Sequence, residues 1–180
     1  MVVIAISGKP GAGTSTVAKL LAKRMGIGYF SPGEKFFKAS GKDGTTEALE
    51  TWRGKGKIKK FHEDIDNFQR RLARGGNVVI CGKLSIWVLK DLADLKIWLD
   101  CDFEERVKRS SARDGISLED ARRKLKEREE VEEVEWKRMY GLDRNTQREM
   151  ADLVLDTTKM DVDGVVERIL DKVREMSLEN

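Results

Sequence analysis

The sequence predicts an α/β domain in which a five-stranded parallel sheet carries helices on both faces. Five short apolar runs alternate with segments of helical periodicity, and this order produces a parallel sheet. The runs cover residues 2–6, 27–30, 78–81, 94–101 and 153–155. At 180 residues the chain has the length of one domain with a sizeable core, so we treat residues 1–180 as a single unit.

A glycine-rich turn, residues 8–16, joins the first predicted strand to the first predicted helix. Its glycines allow positive φ and let N–H groups crowd inward, and the helix N-terminus adds a positive end for phosphate oxygens. The pattern nearly matches G-x-x-x-x-G-K-[ST], with Thr14 at the lysine position and Ser15 where a hydroxyl would ligate Mg²⁺. An ordinary strand-to-helix turn is the alternative. The predicted phosphate-binding residues are Gly8, Gly11, Ala12, Gly13, Thr14, Ser15 and Thr16.

The elements that follow in the first half are mostly helical. Residues 14–25 form an amphipathic helix that stops at Gly26. After the second strand, Ser31 caps a helix that fades near residue 41, and a short helix follows over residues 47–52. The basic, glycine-punctuated segment 53–60 is expected to be a loop ahead of an amphipathic helix, whose apolar positions are Phe61, Ile65, Phe68 and Leu72.

The second half repeats the alternation of strand and helix. The third strand is followed by a short helix over residues 85–89, and the fourth by a helix over residues 103–113. Ser117 then opens a long, highly charged helix with a capping-box-like start. The last helix follows the fifth strand and is capped by Asp161 or Asp163.

Composition limits the possible partners and location. Charged residues make up 37% of the chain, above the usual ~25%, and the mixed signs leave a formal charge of only +3. Such composition is common in proteins that work at high temperature and does not indicate a nucleic-acid partner. Cys81 and Cys101 lack C-x-x-C spacing, and the first apolar run is too short for a membrane span. We therefore expect a cytoplasmic protein with reduced thiols and no membrane partner.

Two segments stand outside the alternating core, at about residues 33–75 and 113–143. In an open α/β sheet, ligands bind outside the carboxyl ends of the strands, where the phosphate loop also lies. Insertions above such a loop suggest a substrate clamp and a lid that excludes water during phosphoryl transfer.

The order of these parts resembles the nucleoside monophosphate kinases, and the archaeal cytidylate kinase family in particular. The segments that carry the resemblance are Gly13-Thr14-Ser15-Thr16 and residues 31–36, 93–99, 126–129, 140–143 and 152–157. The resemblance covers nearly the whole chain. It implies a P-loop kinase that uses ATP and Mg²⁺ to phosphorylate CMP or dCMP, and we expect a monomer.

Three positions depart from the family pattern. Phe37 and Lys83 stand where the family has arginines, and Glu135-Trp136 replaces an Arg-Tyr pair. Since those arginines would hold phosphates, two alternatives stay open. One is a kinase of the same fold that acts on another nucleotide or a small hydroxylated metabolite. The other is a nucleotide-binding protein without turnover.

The predicted catalytic residues are cations that could contact the transferring phosphoryl group. Lys9 lies in the loop and is a candidate to replace the missing lysine, although a solvated lysine is an equal alternative. Arg106, Arg109 and Arg113 fall on one helix face, and the family match selects Arg109 and Arg113. Arg128 lies in the lid. A guanidinium binds phosphate bidentately and stays charged, but a salt-bridged surface helix is the alternative.

The predicted acceptor-binding residues come mainly from the family match. They are Ser31, Gly33, Glu34, Asp66, Gln69 and Lys83, with Arg53 as a candidate to replace the arginine lost at Phe37. The amide of Gln69 offers both a donor and an acceptor for a base edge, although an exposed helix position is an equal alternative. His62, the one histidine, is interpreted as a helix-surface residue.

Overall fold

The computed structural model describes residues 1–37 and 58–178. Its single sheet has five parallel strands in the order β2-β3-β1-β4-β5. The strands are β1 Val3–Gly8, β2 Gly28–Phe30, β3 Val78–Cys81, β4 Leu95–Asp100 and β5 Leu153–Asp156. The predicted α/β fold class is therefore confirmed, and every predicted strand is present.

Helices connect successive strands and cover the sheet. They are α1 Thr14–Met25, α2 Ile58–Gly75, α3 Ser85–Val88, α4 Phe103–Asp114, α5 Leu118–Tyr140, α6 Arg144–Glu149 and α7 Val162–Leu178, with a π-helical turn at Gly33–Phe37. Helix α2 starts earlier than predicted, because residues 58–60 continue its first turn instead of forming a loop. Helix α6 was not predicted. The predicted helix over residues 47–52 lies outside the described residues.

The core has one layer on each face of the sheet, because successive side chains of a strand point to opposite faces. Ile4 and Ile6 of β1 pack with α1 and α7 on one face. Val3 and Ala5 pack on the other face with Trp98 and with residues of α2, α3 and α5. Strand β1 is thus buried on both faces, as its continuous apolar sequence predicts.

Helix ends follow the capping rules in the sequence. Asp102 accepts hydrogen bonds from the backbone of Glu104 and Glu105 at the start of α4, and Ser117 caps α5. Asp161 Oδ1 accepts from Gly164 N at 2.7 Å, so Asp161 is the cap of α7. Asp163 lies inside the first turn and pairs with Arg24 instead.

The parallel strands bring chemically active residues to one edge. Gly8 ends β1, Cys81 ends β3 and Asp100 ends β4, and their carboxyl ends meet at the same edge of the sheet. Both cysteines are buried and unpaired. Among the described residues, no helix is long and apolar enough to cross a membrane.

Candidate active site

The glycine-rich loop has a backbone that requires glycine. Gly11 and Gly13 have φ of +85° and +89°, in the left-handed region that side chains disfavour. A Cβ on Gly8 would lie 2.5 Å from the carbonyl oxygen of Leu99, so a side chain there would displace the backbone of β4. Ala12 N donates to Lys9 O at 3.0 Å and closes the turn.

The N-terminus of α1 is left open by the loop. Gly13 is the N-cap and offers no side-chain acceptor, and no acidic residue lies in the first turn. The first N–H groups of a helix have no intrahelical partner, and the helix dipole makes this end positive. Ser15 is partly buried beside Cys81 Sγ, and burial raises the pKa of that thiol to about 11. The loop therefore presents amides and a hydroxyl beside a neutral thiol, which suits an anion.

Arg106 braces this loop from α4. It is buried and donates to the carbonyl oxygens of Pro10 and Cys101, both at 3.1 Å. Its Nη1 also donates to Glu129 Oε1 of α5 at 2.5 Å. The arginine thus ties the loop to the long helix, and its donors are directed at protein atoms.

The two arginines that were predicted on the same face of α4 have different surroundings. Arg109 donates to Thr157 O at 2.8 Å and to Thr157 Oγ1 at 3.2 Å, and that hydroxyl contacts Ala12 O at 3.2 Å. Arg113 is mostly exposed and pairs with the adjacent Asp114 at 2.6 Å. The structure connects Arg109 with the loop through Thr157, and within the described residues it shows no contact between Arg113 and the loop.

A group of three residues at the end of β4, which we call the loop cluster, consists of Lys9, Asp100 and Arg148. Asp100 Oδ1 lies 3.2 Å from Lys9 Nζ, and Asp100 Oδ2 accepts from Arg148 Nε at 2.9 Å. Trp98 Nε1 also donates to Oδ1 at 3.0 Å. Burial raises the pKa of Asp100, but the hydrogen bonds from Arg148 and Trp98 and the nearby Lys9 outweigh it and hold that pKa below its usual value. Sequence reasoning missed Arg148, since α6 was not predicted.

A second group of three, which we call the lid cluster, consists of Lys83, Arg128 and Glu132. Lys83 follows β3, and Arg128 and Glu132 lie one turn apart on α5. Arg128 Nε donates to Glu132 Oε1 at 2.7 Å, and Lys83 Nζ pairs with the same oxygen. Glu132 Oε2 is buried and has no hydrogen-bond partner among the described residues. Two predicted phosphate ligands therefore converge on one buried carboxylate.

The charges of the lid cluster depend on each other. Burial, reinforced by the positive charge of Arg128, lowers the pKa of Lys83 to about 8. Burial alone would raise the pKa of Glu132, but Lys83 and Arg128 together hold it below its usual value. Gln147 of α6 fixes the backbone here, because its Nε2 donates to Lys83 O at 2.7 Å. The cluster is thus a carboxylate held ionised by two cations.

The polar face of α2 lies against other elements. Ser85 Oγ donates to Gln69 Oε1 at 2.8 Å, and the Tyr140 hydroxyl donates to Asp66 Oδ2 at 2.9 Å. Burial raises the pKa of Asp66 to about 6, although the bond from Tyr140 acts in the opposite direction. Gln69 is buried, so the alternative of an exposed helix position is wrong.

His62 lies one turn before Asp66 on α2. The ring is partly buried and its Nε2 has no partner among the described residues, which contradicts the interpretation of a helix-surface residue. Burial lowers the pKa of His62, and the positive charge of Lys83 lowers it further.

The remaining predicted acceptor residues surround the turn after β2. Ser31 is buried and its Oγ accepts from Glu34 N at 3.4 Å, while Gly33 begins the π-helical turn. Glu34 pairs with Lys19 of α1 at 2.7 Å. Arg53 lies outside the described residues.

Comparison with known proteins gives a family and close relatives. The model of the "Cytidylate kinase-like family" matches residues 3–159. A cytidylate kinase of Ignicoccus hospitalis is 40% identical over 169 residues, which cover 94% of this chain and 97% of that protein. A cytidylate kinase of Methanocaldococcus jannaschii is 35% identical over 166 residues, which cover 91% of this chain and 92% of that protein.

Solved structures support the fold at lower identity. An uncharacterized protein from Eubacterium ventriosum superimposes with a TM-score of 0.71 at 22% identity, covering 97% of this chain and 99% of that chain. A shikimate kinase from Acinetobacter baumannii, solved in complex with shikimate, superimposes with a TM-score of 0.69 at 18% identity. The superposition covers 99% of this chain and 96% of that chain. These structures therefore share the α/β fold of this chain.

Proposed function

The chain belongs to the cytidylate kinase-like family, and from this premise we propose that it transfers the γ-phosphoryl group of ATP to CMP or dCMP. Its sequence relatives named cytidylate kinases align with nearly its full length. The observation that supports the proposal is the presence of two separate groups of residues suited to bind anions. One is the open loop at α1, and the other is the convergence of Lys83 and Arg128.

We assign the donor nucleotide to the glycine-rich loop. The first amides of α1 have no side-chain cap and are the donors that we assign to the phosphate chain, while Lys9 adds a positive charge in the same loop. Among the described residues no group of three or more His, Cys, Asp or Glu is placed to hold a metal ion. We assign the Ser15 hydroxyl to Mg²⁺ because Ser15 stands at the hydroxyl position of the loop pattern, and nucleotide phosphates would be the other ligands. When bound, Mg²⁺ neutralises charge on the transferring phosphates.

We assign the acceptor phosphate to the lid cluster. Lys83 stands where the family has arginine, and Arg128 supplies the planar fork that Lys83 lacks. Glu132 holds both cations at one point while the acceptor is absent. The buried carboxylate thus positions the two phosphate ligands before the substrate arrives.

The polar face of α2 is proposed to bind the base. Since the carbonyl of Gln69 already accepts from Ser85, the group left for a ligand is its amide NH₂. This donor suits the ring carbonyl of cytosine, and the Asp66 carboxylate is an acceptor for the exocyclic amine. Ser31, Gly33 and Glu34 complete the predicted acceptor side. Arg53 stays a prediction from sequence.

The reaction needs positioning more than covalent chemistry. An oxygen of the acceptor phosphate attacks the γ-phosphorus in line, and the bond to the β,γ-bridging oxygen breaks as the new P–O bond forms. The protein contributes amides and cations on the equatorial oxygens and, through the lid, exclusion of water. Arg109 and Arg113 stay predicted contributors to that charge stabilisation.

An acceptor screen tests the proposal. ADP production from Mg·ATP is measured with CMP, dCMP, UMP, AMP and GMP in parallel, at elevated temperature because of the 37% charged composition. We expect strong stimulation by CMP or dCMP and little by the purine nucleotides. Gly8→Val is the inactive control, since its side chain would meet Leu99 O. No stimulation by CMP or dCMP in a protein that binds ATP would contradict the proposal.

A further inference from the structure

The loop cluster contains a cation that the proposed function has not used. Arg148 lies on α6, and its guanidinium pairs with Asp100, the carboxylate that also pairs with Lys9 of the glycine-rich loop. We propose that Arg148 contacts the phosphate chain of the donor nucleotide. Together with Lys9 it takes the role of the loop lysine, whose position in this sequence is occupied by Thr14. This inference rests on the assignment of the donor nucleotide to that loop.

The position of Arg148 is fixed relative to the loop by Asp100. Each carboxylate oxygen takes one cation, Oδ1 from Lys9 at 3.2 Å and Oδ2 from Arg148 at 2.9 Å. Trp98 is 1% exposed, and the hydrogen bond from its Nε1 to Oδ1 at 3.0 Å favours this orientation of the carboxylate. Lys9 N donates to the carbonyl of Leu99, the residue before Asp100, at 3.3 Å. Loop, carboxylate and guanidinium therefore share one anchor on β4.

Arg148 retains donors for a ligand. Its contact with Asp100 uses Nε, and its terminal nitrogens have no hydrogen-bond partner among the described residues. The side chain is 51% exposed, so half of its surface is accessible from solvent. A guanidinium forms short, bidentate hydrogen bonds with phosphate oxygens, which an ammonium cannot do.

The two cations of the loop cluster come from separate elements and lie near the positive end of α1. Lys9 and Arg148 carry two positive charges, which Asp100 and the nearby Asp156 of β5 balance. A typical surface arginine pairs with one carboxylate on its own helix, as Arg174 does with Asp171 on α7 at 2.7 Å. Arg148 instead shares a mostly buried carboxylate of a central strand with a loop residue.

The test compares Arg148→Ala, Arg148→Gln and Arg148→Lys with Arg174→Ala as the matched control. Binding of AMP, ADP and a non-hydrolysable ATP analogue is measured by calorimetry in the presence of Mg²⁺, and thermal unfolding verifies that each variant is folded. We expect Arg148→Ala and Arg148→Gln to lower the affinity for the triphosphate analogue about tenfold or more, the size expected for a lost charge-assisted contact. The affinity for AMP should fall less than about twofold. Arg148→Lys should be intermediate, and Arg174→Ala should match the parent protein.

Equal affinities of the parent and a folded Arg148→Gln variant for the triphosphate analogue would overturn the inference. An equal loss for AMP and for the analogue would also overturn it, because the phosphate chain would then not be the contact. Because binding is measured without turnover, the result does not depend on the acceptor. A parent that binds ATP but phosphorylates neither CMP nor dCMP would contradict the proposed function while leaving this comparison intact.

Discussion

The loop cluster and the lid cluster are built on the same plan in different surroundings. In each, one carboxylate pairs with two cations, of which at least one is distant from it in the sequence. The Glu132 side chain of the lid cluster is 2% exposed, whereas Asp100 of the loop cluster is 17% exposed. Their arginines differ in the same direction, since the side chain of Arg128 is 28% exposed and that of Arg148 is 51% exposed.

This difference in burial means that the charges of one cluster stabilise the fold, whereas those of the other are available to a ligand. A buried carboxylate that loses its charge leaves its cations desolvated and unpaired, whereas exposed cations regain water. The lid cluster is therefore a structural element of the protein as well as the proposed acceptor site. The loop cluster can give up its internal contacts to a nucleotide at little cost. Four predictions test this distinction.

The largest expected effect is on stability. Glu132→Gln keeps the shape but removes the charge that Lys83 and Arg128 share, and we expect the free energy of unfolding to fall by about 3 kcal/mol. Asp100→Asn keeps the acceptor for Trp98, and we expect a loss of about 1 kcal/mol or less because its cations are partly solvated. Denaturant unfolding at neutral pH measures both values.

Glu127→Gln is the control for this prediction. It lies on the same helix as Glu132, but its side chain is 53% exposed and, within the described part of the chain, pairs with Arg123 alone at 3.3 Å. We expect a change within about 0.5 kcal/mol. Equal losses for Glu132→Gln and Asp100→Asn would contradict the distinction between the clusters.

The second prediction concerns substrate affinity. Lys83→Ala should raise KM for the acceptor by about 10- to 100-fold and leave KM for ATP nearly unchanged, as expected for one lost bond to a charged group. Lys9→Ala should give the reverse pattern. Steady-state kinetics with each substrate varied in turn measures both. A higher KM for ATP in Lys83→Ala would contradict the assignment of Lys83 to the acceptor phosphate.

The third prediction is that kcat/KM for the acceptor depends on pH through the ionisation of Lys83. The pKa of Lys83 is lowered to about 8, so the protonated form prevails below that pH and is lost above it. We expect kcat/KM for CMP to fall about tenfold for each pH unit above 8, because this ratio reports ionisation in the free enzyme. Lys83→Arg should remove the decline, since a guanidinium stays charged. A decline that persists in Lys83→Arg would assign it to another group.

Sequence periodicity was sufficient for most of the fold. Helix α1 was predicted with its observed bounds because its apolar positions and Gly26 set both ends. Helix α6 was missed because its six residues, RNTQRE, contain no apolar position to reveal a period. The start of α2 was missed because glycines at residues 54 and 56 suggested a longer loop. Local signals therefore succeeded where an element contributes to the core.

The candidate site was predictable only in part. The loop and the cations Lys83 and Arg128 could be found from local pattern and family match. Their common partner Glu132 resembled any acidic residue of a charged helix, since its pairing with Lys83 spans 49 residues and depends on the fold. The role of Asp100 could not be predicted, because its pairing with Arg148 depends on how β4 and α6 lie in the fold. Ion pairs between distant segments leave no periodic signal in the sequence.

The smallest expected effect is a difference in salt response. Raising KCl from 0.1 M to 1 M shortens the Debye length from about 10 Å to about 3 Å, which screens exposed charges much more than buried ones. The stability loss from Asp100→Asn should therefore shrink by about half, on the order of 0.5 kcal/mol, because Arg148 and Lys9 are accessible to ions. The loss from Glu132→Gln should persist, since ions cannot reach its buried carboxylate. Each loss is taken relative to the parent at the same salt, which removes the general effect of KCl. Equal shrinkage of both losses would mean that burial does not distinguish the two clusters.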